Sequence, residues 1–183
     1  MFHTFRVFLF IFLWLLTCVL LGLSADRIWY TRHLPRGDPL NNGQSFYDPI
    51  IAALLFTTSV AILWIPFILL AIFRRKEGRR RYMFTHSVVG LLIFAVFFTV
   101  EAAIAAHYWG HLSFCHRYWQ CRVLTALVGI AWSTAIINII LLIMEFHYAW
   151  THRAWGYPMH GRYNPTHFNQ ANYSGGQRRW KWW

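Results

Sequence analysis

Four long apolar runs alternate with segments that hold most of the charge. At about 1.5 Å of rise per residue, some 20 apolar residues are enough for a helix to cross the ~30 Å hydrocarbon core of a bilayer. The runs predict helices over about 7–25, 49–73, 83–108 and 122–148. The expected fold is therefore an all-α membrane protein. Residues 1–150 form a four-helix transmembrane bundle, and residues 151–183 form a disordered basic and aromatic tail.

The boundaries have local causes. Arg6 precedes the first run, and Asp26-Arg27 ends it. A cleaved signal peptide is the rival reading, with Gly22-Leu23-Ser24-Ala25 as a small-residue cut site. The run exceeds the usual ~7–15-residue apolar region of a signal, which favours a retained helix. Residues 26–47 read as a loop, because Pro35, Gly37, Pro39, Asn41, Asn42 and Gly43 are turn residues. Trp29 and Tyr30 suit the interfacial aromatic belt. Asp48 is placed to cap the second helix, with Pro49 pre-set for its first turn. Pro66 is expected to kink that helix. In the fourth run Thr125, Gly129 and Ser133 recur every four residues, a small-residue stripe that permits close helix approach. Asn138 faces a neighbouring helix or a cavity.

Composition supports the membrane reading. The chain is 57% hydrophobic and only 13% charged, against about 25% charged for soluble domains. It carries 11 Trp, 9 Tyr and 16 Phe, and its net charge is +11. In a soluble protein that charge would suggest nucleic acid. Here it clusters at the ends of apolar runs, which points to anionic lipid headgroups and not to nucleic acid. Twelve of the 17 Lys and Arg fall in the two terminal segments and the 74–81 hinge, if both termini share a side with that hinge. The positive-inside rule then puts both termini in the cytosol. Arg74, Arg75, Lys76, Arg79, Arg80 and Arg81 form one expected lipid-binding patch. Arg178, Arg179, Trp180, Lys181, Trp182 and Trp183 form another.

Few residues carry candidate chemistry. Cys115 and Cys121 lie in the second outer segment, where an oxidising compartment favours a disulfide. Cys18 is expected to be a free apolar thiol. A metal site built from those cysteines with His107, His111 or His116 is the alternative. Glu101 lies late in the third helix. It is expected to pair with Arg27 or Arg122, and otherwise it is an ion-handling site, since intramembrane carboxylates are functional candidates. Glu145 and His147 are expected to be solvated near the inner interface. No nucleophile–base motif or phosphate loop is present, so neither enzymatic activity nor a cofactor is expected.

Three stretches resemble the MARVEL-domain family, in particular its short fungal type. They are Leu21-Gly22-Leu23-Ser24-Ala25, Glu101-Ala102-Ala103, and Cys121 through Trp132. The resemblance covers about residues 1–150. It implies a non-enzymatic protein that organises membrane microdomains or serves vesicle traffic. Its expected partners are membrane lipids, sterol among them, and other membrane proteins or further copies of itself. Its expected place is the plasma membrane or an endomembrane. A small transporter or channel using Glu101, and a membrane enzyme with an outer His/Cys metal site, are the rival functions.

Overall fold

Long stretches rich in Leu, Ile, Phe and Ala satisfy their backbone groups internally as helices, which is what a bilayer demands. The computed structural model describes residues 2–33, 46–74, 84–109, 119–152 and 155. It contains α1 (Phe2–Arg32), α2 (Pro49–Phe73), α3 (Phe84–Trp109) and α4 (Trp119–Thr151), with no strand among the described residues. All four helices are long and apolar enough to cross a membrane. The chain has the fold of a multi-pass integral membrane protein.

Two helices outrun the apolar runs that predict them. α1 continues through Asp26 to Arg32, past the expected end at Ala25. Charge ends contact with hydrocarbon, but it does not break the backbone ladder, and no Gly or Pro follows until Pro35. α4 begins at Trp119 and ends at Thr151, extending about one turn beyond expectation at each end. α2 matches its expected span. Asp48 caps it as expected, its Oδ1 accepting from the Ile50 N–H at 3.2 Å, with Pro49 in the first turn. The helix runs unbroken through Pro66.

The helices pack in a ring, with α1 beside α2 and α4, and α3 completing the square. Buried positions recur three and four residues apart along each. Arg6, Phe10, Leu13, Thr17, Leu20, Ser24, Arg27 and Thr31 line α1. Ile51, Leu54, Thr58, Ala61, Ile65, Ile68 and Ile72 line α2. Phe84, Ser87, Leu91, Phe94, Phe98, Glu101 and Ala105 line α3. Leu124, Leu127, Ala131, Thr134, Asn138, Leu141 and Glu145 line α4. This seven-residue spacing is that of knobs-into-holes packing between bundle helices. The opposite faces carry Phe8, Leu15, Phe56, Leu63, Leu70, Val96 and Ile143, all exposed, as lipid contact requires.

Gly90 has a packing reason. A Cβ there would stand 2.1 Å from Cζ2 of Trp64, so the missing side chain makes room for the indole. Trp64 then tilts against Phe94 at 5.2 Å between ring centres. The small-residue stripe of α4 does not serve the packing expected of it. Thr125, Gly129 and Ser133 are exposed, and nothing lies within 4 Å of where a Gly129 Cβ would be. Ala131, Thr134, Ala135 and Asn138 form the inward face instead.

Candidate functional site

The informative residues are the polar groups inside the bundle, each forced by its helix into an apolar interior. At the end of the bundle where α1 starts and α4 finishes, Arg6 Nε donates to Glu145 Oε1 at 2.6 Å, with both side chains fully buried. The Arg6 guanidinium also faces two aromatic rings, Phe84 at 4.7 Å and Phe10 at 5.7 Å. Such cation–π contacts stabilise a desolvated cation. The buried Ser87 of α3 stands near the same carboxylate. Its Oγ and Glu145 Oε2 have no hydrogen-bond partner among the described residues. Glu145 is therefore not solvated, contrary to the sequence expectation, whereas His147 is exposed.

Further along, Asn138 Nδ2 donates to the backbone carbonyl of Leu91 at 3.0 Å, joining α4 to α3. Of the two sequence options, this is the neighbouring helix. Thr17, Thr58 and Thr134 are buried too, but each hydroxyl turns back onto its own helix. They donate to Trp14, Leu54 and Ile130 carbonyls at 2.7, 2.6 and 2.8 Å.

At the opposite end Thr57 Oγ1 of α2 donates to Glu101 Oε1 of α3 at 2.6 Å. Glu101 is 5% exposed, and its Oε2 meets no donor among the described residues. The sequence argument expected a basic partner here, and the structure places a threonine against the carboxylate. Arg122 is exposed, its guanidinium 5.3 Å from the Trp119 ring. Arg27 is buried on α1, with Ser24 and Thr31 on the same face. The backbone joins α2 to α1 here, as Phe46 N–H donates to the Thr31 carbonyl at 3.2 Å.

Cys121 is disulfide-bonded and Cys18 is a free thiol. Cys115, His111 and His116 lie outside the described residues, as do Arg75, Lys76, Arg79, Arg80, Arg81 and every position from Arg178 to Trp183. Arg74 is exposed at the end of α2. His107 is exposed, edge-on to Tyr108. No group of three or more His, Cys, Asp or Glu that could hold a metal occurs among the described residues.

Sequence reasoning singled out Glu101 and Asn138 but missed the Arg6–Glu145 pair. The available signal was opposite charges at the same end of the bundle, each embedded in apolar neighbours. The chain matches no protein-family model, no curated protein and no solved structure.

Proposed function

We propose that this four-helix membrane protein is a non-enzymatic organiser that gathers lipid and protein neighbours in the plane of the membrane. The observation that carries the reading is the division of labour between its faces. The interior is filled by its own side chains, with polar groups linked helix to helix. The outward faces present an apolar girdle of Phe, Leu, Val and Ile. Such a molecule works through what surrounds it. The MARVEL resemblance agrees with that role in microdomains or vesicle traffic.

In this reading both termini and the 74–81 hinge lie in the cytosol, and the hinge and tail basic groups hold anionic headgroups. Each Lys or Arg near an anionic surface contributes about 1 kcal/mol. The test is reconstitution in mixed vesicles with a fluorescent anionic lipid, comparing the wild type with a chain whose hinge bases are replaced by Gln. Energy transfer from Trp to the anionic lipid should fall in the variant and fall for both chains at high salt. Equal transfer in both chains would refute the reading. A transporter reading draws support from Glu101 Oε2, which is buried without a donor among the described residues. Proton or cation flux into vesicles, lost in Glu101→Gln, would establish it in place of the organiser.

A further inference from the structure

We propose that Glu101 and Thr57 form a proton-binding site, with Glu101 held as a neutral carboxylic acid between α3 and α2. Nothing in the organising role requires this site, and the site requires no transport.

The geometry carries the argument. One oxygen, Oε1, lies 2.6 Å from Thr57 Oγ1. The other, Oε2, is buried and has no donor among the described residues. In a carboxylate, half the negative charge would rest on that bare oxygen in an apolar interior, a costly arrangement. In the acid, Oε1 carries the proton and donates it to Thr57 Oγ1, while Oε2 is an uncharged carbonyl oxygen. The same contact then survives with donor and acceptor exchanged, since a hydroxyl can play either part. The proton comes from water and leaves to water, so no co-reactant is needed.

The surrounding charges do not remove the need for that proton. Asp26, Arg27, Tyr30, Arg32 and His33 on or just after α1, Tyr47 and Asp48 at the start of α2, His107 and Tyr108 on α3, and Arg122 on α4 are the titratable and charged groups at this end among the described residues. Asp26, Arg32, His33, Tyr47, His107, Tyr108 and Arg122 are exposed, Asp48 accepts from Ile50 N–H, and the buried Arg27 makes no ion pair with Glu101. Among the described residues Glu101 makes no ion pair, and Thr57 is its hydrogen-bond partner.

Glu101 lies eight residues before the end of α3 at Trp109, about 12 Å of helix. Towards the other end, Ser87 is 14 residues away, about 21 Å. The hydroxyls of Thr17, Thr58 and Thr134 between those levels are engaged with their own helices. Of the two ends of the bundle, the site lies nearer the one where α3 finishes.

The test uses the full chain in lipid nanodiscs at neutral pH. Infrared difference spectra between the wild type and Glu101→Gln should show a carboxylic-acid C=O band that the variant lacks. Raising sodium or potassium at fixed pH should leave that band unchanged. Loss of no acid band in a folded variant, or a band that sodium or potassium abolishes, would overturn the proposal, the latter in favour of a bound metal cation. Should Glu101→Gln fail to fold, the wild type is treated with dicyclohexylcarbodiimide, which adds to protonated carboxyls in apolar surroundings and leaves a stable N-acylurea. Peptide mapping should find the adduct on Glu101 and not on Glu145, which is paired with Arg6. An unlabelled Glu101 would overturn the proposal in that case.

Discussion

Replacing Arg6 by Ala tests the most consequential contact in the bundle. At 2.6 Å and an effective dielectric near 20, the Arg6–Glu145 attraction is about 6 kcal/mol. Removing both charges from water costs several kcal/mol per ion, so the net worth of the intact pair is far smaller. Removing one partner is different, because Glu145 then remains at 0% exposure with its charge uncompensated. Breaking such a pair costs about 3–5 kcal/mol, and the lost contacts with the Phe10 and Phe84 rings add to it. Arg6→Ala and Glu145→Ala should each lower stability by about that amount, measured by unfolding in mixed detergent micelles. The double variant should cost much less than the two losses summed, as coupled neighbours do. Arg6→Met with Glu145→Leu, which refills the volume with apolar atoms, should return close to the wild type or exceed it. Losses that add to within about 0.5 kcal/mol would show that the two residues act independently and would refute the account.

Three further outcomes follow from other contacts. Gly90→Ala should destabilise by about 1–3 kcal/mol, since its Cβ would overlap Trp64; unfolding of Gly90→Ala with Trp64→Leu should show most of the loss restored. Asn138→Ala should cost about 0.6 kcal/mol and at most about 1.7, the range for a hydrogen bond between membrane helices, by the same unfolding assay. Alkylation followed by mass spectrometry should label Cys18 in the unfolded chain without reductant and Cys121 only after reduction, with the bridge peptide containing Cys115.

The helix spans were legible because a bilayer rewards run length, and length is visible in any apolar sequence. The helix faces were not. In water a helix betrays its buried side by contrast with a polar one. Here Phe10 faces in and Phe8 faces out, and composition does not tell them apart. The contrast that survives is polar. Thr17, Ser24 and Thr31 recur at sevens along α1, and all three point inward. Thr125, Gly129 and Ser133 misled because small residues can face lipid as readily as a neighbour. The ends of α1 and α4 were missed because charge was taken as the end of a helix. Arg6 and Glu145 are 139 positions apart, and no local pattern joins them. At Glu101 the acid is legible in the sequence, but its partner was sought among bases, and the structure supplies the Thr57 hydroxyl.

Each side of the helical square carries a polar link. Thr31 with Phe46 ties α1 to the start of α2, Thr57 ties α2 to α3 through Glu101, Leu91 ties α3 to α4 through Asn138, and Glu145 ties α4 back to α1 through Arg6. The last of these has a consequence for biosynthesis. On the ribosome Glu145 is made 139 residues after Arg6. During all the intervening translation the first helix sits in the membrane with its cation unmatched by that acid. A chain truncated before α4 keeps that mismatch permanently, because the acid that Arg6 pairs with lies on the missing helix.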